Sequence, residues 1–114
     1  NGDITTLEDI QSIETTYPNL AGIMIGRGLL ARPSLATEYV SGKESPWEAR
    51  RNQLHEFHNR LMAHYETTAN SEAQVHNRMR LFWEYMEEEL GKKTYKKIMK
   101  AGSLKNYLAA VREV

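Results

Sequence analysis

From Ile4 onward, apolar residues return at Leu7, Ile10 and Ile13, a spacing of three that predicts one stripe of a helix. Thr5 followed by Glu8 has the pattern of a capping box at its start, and Pro18 with Asn19 marks its stop. The next apolar run, "AGIMIG" at 21–26, is bounded by glycines and too short for a helix, which predicts a buried parallel strand. "GLLARPSLATEYV" then predicts a short or broken helix whose second part starts at Pro33. The order loop, helix, strand, loop, helix is one and a half units of a β/α repeat.

The pattern changes near Gly42. In "SGKESPWE", Ser45 is the expected N-cap, Pro46 the first helical residue and Glu48 the end of the box. The helix that follows carries Trp47, Leu54, Phe57, Leu61 and Tyr65 as its apolar stripe. "ANSEAQ" interrupts it, and Ser71 with Gln74 starts a second helix bearing Val75, Met79, Phe82, Met86 and Leu90, with Gly91 as its C-cap. Two shorter helices are expected over 92–101 and 104–113, the last capped by Ser103. Four helices joined by short connections predict an antiparallel bundle.

Composition narrows the class. A chain of 114 residues with 40% hydrophobic and 26% charged residues fits an ordinary globular domain or a domain fragment with a small module. No apolar run reaches the roughly 20 residues that span a bilayer. The absence of cysteine excludes disulfides and thiolate metal sites, and is compatible with a reducing cytosol. The formal charge is zero but uneven: residues 1–42 carry −3 and the remainder +3. Lys92, Lys93, Lys96, Lys97, Lys100, Lys105 and Arg112 follow one another without an intervening acid, so the run reads either as a polyanion contact or as a solvated helical face.

Candidate chemistry lies first in the glycine loops. In "IMIGRGLL" a strand end passes into a helix, where Gly26 and Gly28 leave the backbone open and Arg27 offers a forked donor to a phosphate. Asn1, Gly2 and Asp3 form a second such turn ahead of a helix. In a β/α barrel, loops of this kind gather on one face and often hold a phosphate.

Asn1-Gly2-Asp3-Ile4, then Gly22-Ile23-Met24-Ile25-Gly26-Arg27-Gly28, then Pro33 resemble the end of the barrel in the tRNA-dihydrouridine synthase family. The resemblance covers roughly residues 1–40, and the helices beyond agree in kind rather than in motif. It implies a mainly α fold: the last β/α elements of a truncated TIM barrel over 1–42, then a four-helix bundle over 43–114 that grips tRNA. It also implies a cytoplasmic, FMN-dependent oxidoreductase that reduces uridine to 5,6-dihydrouridine in tRNA, with NADPH or NADH recharging the flavin. By the same resemblance Asn1, Gly2, Asp3, Gly26 and Arg27 contact the FMN phosphate and ribityl chain. The family's general acid is a cysteine, which this chain lacks, so these residues by themselves are expected to be inactive. A strand at 21–26 without a sheet predicts that residues 1–42 are poorly anchored or pair with another copy, while 45–114 fold independently. The competing reading is a helical RNA- or protein-binding module without catalytic activity.

For RNA contact the candidates are Arg78, Arg80 and Lys93. Arg78 and Arg80 lie about 200° apart on a helix, so one of them at most shares a face with His76 or Lys93. Glu84, Glu87, Glu88 and Glu89 crowd the same helix, which leaves surface ion pairing as the other role for the arginines. Tyr95 and Tyr107, set among lysines, are the aromatic positions placed to stack on bases. His55 and His58 share the spacing of a metal-ligand pair but have no evident third ligand, so no metal is expected and the histidines are read as exposed or partner-facing.

Overall fold

A computed structural model describes residues 4–114. The first helix, α1 (Leu7–Thr16), is capped by Thr6, whose Oγ1 accepts from Asp9 N–H at 3.1 Å. Asp9 Oδ2 accepts in return from Thr6 N–H at 3.2 Å and from Thr5 N–H at 3.0 Å. The box therefore falls one residue later than the expected Thr5–Glu8 pair. The short Asp9 carboxylate reaches both orphan donors at once, and Glu8 stays exposed.

Residues 21–25 run without regular structure, and no strand occurs among the described residues. Ile23 and Ile25 nevertheless turn onto Ile4, Ile10 and Leu35, while Met24 between them is 73% exposed. That is the period-two alternation of a strand with no neighbour to pair with, so the expected strand is corrected to an unpaired segment. Beyond it, α2 (Arg27–Ala31) and α3 (Leu35–Ser41) break around Pro33 as the sequence predicts. Gly42, at φ 73°, ends α3 in the left-handed region.

The helices α4 (Trp47–Thr68), α5 (Glu72–Trp83), α6 (Glu87–Leu90), α7 (Lys92–Lys100) and α8 (Leu104–Val111) follow. Ser45 does not cap α4; the cap position is Pro46, and Ser45 N–H is drawn away to Glu38 Oε2 at 3.2 Å. Ser71 and Ser103 do cap α5 and α8, accepting from Gln74 N–H and Asn106 N–H at 3.2 Å each. The expected single helix up to Gly91 breaks after Trp83. Met86 N–H turns back to Trp83 O at 2.9 Å, and the Tyr95 hydroxyl donates to Glu84 O at 2.9 Å. Five helical segments thus stand where four were expected.

Two hydrophobic clusters share no residue. The smaller is Ile4, Ile10 and Leu35 with the flanking isoleucines. The larger joins Leu54, Val75, Met79, Trp83, Met86, Ile98, Tyr107, Ala110 and Val111. They lie along a body of 50 × 27 × 21 Å, with α6 packed against α2 between them. Trp47 and Phe57, expected in the core, are instead exposed. Arg50 lies over the Trp47 ring, and Phe57 stacks on Phe82 at 5.5 Å between ring centroids. Among the described residues no helix is long and apolar enough to cross a membrane.

Candidate functional site

Gly28 brings the start of α2 against the backbone of Ile4. A Cβ on Gly28 would overlap the carbonyl oxygen of Ile4 and come to 3.1 Å from Ile25 Cγ2. The helix start at α2 therefore lies directly against the backbone that follows Asn1-Gly2-Asp3, a contact only glycine permits. Asn1, Gly2 and Asp3 themselves lie outside the described residues. Gly26 is open, since a Cβ there would meet nothing within 4 Å. Arg27 is exposed, with no ion pair among the described residues.

Arg27 and Gly28 line a groove with Thr5, Ala31, Tyr85 and the acidic side chains Glu84, Glu87 and Glu88. One guanidinium and an open glycine backbone suit a phosphate in kind. Three carboxylates on the opposite wall make the groove net acidic. A phosphate held at Arg27 therefore requires further N–H donors on the side away from α6.

Behind this loop stands a polar clasp that sequence patterns did not reveal. Arg32 grips the buried Glu38 in a fork, Nε to Oε1 at 2.7 Å and Nη2 to Oε2 at 2.8 Å. Ser34 Oγ donates to Oε1 at 2.8 Å, and Ser45 N–H to Oε2, so one carboxylate ties α2, α3 and the linker to α4. Burial pushes the Glu38 carboxyl up, but the Arg32 guanidinium and the Ser34 hydroxyl more than offset it, leaving it below its usual value. A partner six positions away follows no helix-face rule, which is why spacing alone missed it.

The candidate RNA contacts are not brought into one patch. Arg78 lies over the Tyr65 ring, 5.5 Å from its centroid. Arg80 is half-buried, with Nε buried and unpaired. Lys93 lines a different groove, between α7 and α8, with Lys96, Lys97, Lys100, Ala109 and Glu113 among its walls.

Tyr107 is no stacking platform: it is fully buried at the centre of the larger core. Trp83 Nε1–H donates to its hydroxyl oxygen at 2.7 Å, and that hydroxyl lies 2.7 Å from His58 Nε2. Because Asn59 Oδ1, beside His58 Nδ1, can only accept, His58 Nε2 is left as the acceptor of the Tyr107 O–H. The imidazole proton then sits on Nδ1, 3.1 Å from Asn59 Oδ1. Burial pushes His58 down and the Tyr107 phenol well up from their usual values. His58 and His76 are thus buried, against the expectation of exposed histidines. The available signal was register, since His58 continues the stripe of Leu54, Leu61 and Tyr65. His55 meets the chain end instead, with Nε2 3.1 Å from Val114 O. No group of three metal-ligating side chains occurs among the described residues.

The family model "Dihydrouridine synthase" matches residues 1–113. No curated protein and no solved structure matches the chain. A match that runs through both clusters, from the glycine loops to the end of α8, carries the assignment: the chain belongs to the dihydrouridine synthase family.

Proposed function

We propose that residues 1–42 end an FMN-binding β/α barrel and that residues 43–114 form its tRNA-binding helical domain, in an enzyme that reduces uridine to dihydrouridine. The observation that carries this reading is the contact of Gly28 with the Ile4 carbonyl. It brings the Gly26–Gly28 turn against Ile4, the residue after the Asn1–Asp3 motif, and so supports giving both motifs to one phosphate. The alternation of inward Ile23 and Ile25 with outward Met24 supports a barrel strand here, one that pairs with strands these residues do not supply.

Arg27 would hold the FMN phosphate, with the backbone of Gly26 and of the Asn1–Asp3 loop beside it. When bound and reduced by a nicotinamide, FMN would supply the hydride for the uracil ring, with the balancing proton from the family's cysteine acid, which is not among these residues. The role of this chain's residues is to anchor and orient. Arg32, Glu38 and Ser45 fix the angle at which α4 leaves the barrel end. In the helical domain, Arg78, Arg80 and Lys93 are the proposed contacts to tRNA. The cytosol is the matching compartment.

The acidic wall of Glu84, Glu87 and Glu88 favours a second reading, in which the helices bind RNA or protein without flavin chemistry. Flavin titration of the enzyme with its barrel complete separates the two. FMN should bind at least about tenfold tighter than riboflavin, and Arg27→Ala should erase the difference, as expected for one lost charge-assisted contact. Equal affinity for FMN and riboflavin in the unaltered protein would remove Arg27 from the site.

A further inference from the structure

α7 carries Lys93, Lys96, Lys97 and Lys100 at helical positions i, i+3, i+4 and i+7, so the four ammonium groups share one face. All four are exposed and line one open groove, whose other wall is α8 with Asn106, Ala109, Ala110 and Glu113. Only Lys97 is paired: its Nζ lies 2.8 and 2.9 Å from the two Glu113 carboxylate oxygens. Among the described residues, Lys93, Lys96 and Lys100 have no carboxylate within 4 Å.

Such a face works against its own helix. Like charges three and four positions apart repel one another. Lys92 and Lys93 occupy the first turn, where the helix dipole disfavours cations and no acid offsets them. α7 holds because Ile98 is fully buried on the opposite side. A local rule broken on an exposed face, with the stability supplied elsewhere, marks a functional surface.

The groove also selects its ligand. Its floor is Ala101, Ala109 and Ala110, so a polymer backbone can approach both helices closely. It offers no large exposed apolar side chain for insertion into a lipid surface. The lysines span about 10 Å along the axis, and flexible point charges suit a run of phosphates rather than one fixed carboxylate.

We propose that the α7–α8 groove holds the sugar–phosphate backbone of tRNA through Lys93, Lys96 and Lys100, with Glu113 restraining Lys97. This rests on the tRNA reading above and moves the main electrostatic contact from the arginines of α5 to the lysines of α7.

The test titrates a labelled, unmodified tRNA transcript with the enzyme whose barrel is complete, between about 50 and about 200 mM salt. The triple variant Lys93→Gln/Lys96→Gln/Lys100→Gln should bind at least about tenfold more weakly, with the slope of log K against log salt reduced by about 2. Glu113→Gln should tighten binding by freeing Lys97. Circular dichroism should show both variants as helical as the unaltered protein. If tRNA binds but the triple variant keeps the affinity and slope, the groove is not the contact and the tRNA reading stands. No tRNA binding at low salt overturns both. Equal affinity for polyglutamate shows a general polyanion surface and overturns the assignment to RNA.

Discussion

Gly28 sits where any side chain would collide with the Ile4 carbonyl, so a larger residue must push α2 away from the segment that precedes α1. Gly28→Ala should therefore destabilise the small cluster by about 3 kcal/mol, read as a lower midpoint in thermal unfolding. Glu38 makes a different demand. Its folded value lies below the 4.5 of the free side chain, so the unfolded chain takes up the proton first. Its contribution is complete above pH 4.5 and is lost as pH falls from there through the folded value. Glu38→Gln should flatten that acid limb and cost about 3 kcal/mol at neutral pH by leaving Arg32 without its carboxylate. His58 obeys the same sign with a higher starting point: stability should already decline as pH falls below 6.5, because only the neutral ring fits its buried place. Tyr107→Phe strips partners from both Trp83 Nε1 and His58 Nε2 and should cost about 2 kcal/mol, measured by denaturant unfolding.

The helices were legible because each carries its own period and caps. Ser71, Ser103 and the break at Pro33 stand where the sequence placed them. What escaped the sequence depends on partners distant along the chain. The strand at 21–26 needs a neighbour to become one. The continuous helix up to Gly91 fails because Tyr95, eleven positions away, takes the Glu84 carbonyl. His58 and Tyr107 look like surface residues by type, although each keeps the register of its apolar neighbours. Of the groove beside Arg27, the glycines and the arginine are visible in the sequence, whereas the acidic wall arises only when α6 packs against α2. Hydrogen exchange tests the unpaired segment. Amides of 22–25 in residues 1–114 alone, as a dilute monomer, should exchange freely while those of α5 and α8 are protected, and strong protection at 22–25 would contradict an unpaired segment.

At the scale of the molecule, charge and packing divide the same way. The small cluster belongs to the part of the chain with an excess of acid, and the larger one underlies the lysine-bearing helix α7. Such a layout suits a protein that anchors a cofactor phosphate at one end and a polyanion at the other. On the functions proposed above, two kinds of positive charge would serve two tasks, a forked guanidinium at Arg27 and a row of ammonium groups on α7. The most direct measurement is the dihydrouridine content of tRNA, by mass spectrometry, in cells from which the gene has been removed. Dihydrouridine should disappear from at least one tRNA position, return with the unaltered gene, and return weakly or not at all with Arg27→Ala. Unchanged dihydrouridine at every position after removal of the gene would contradict the account.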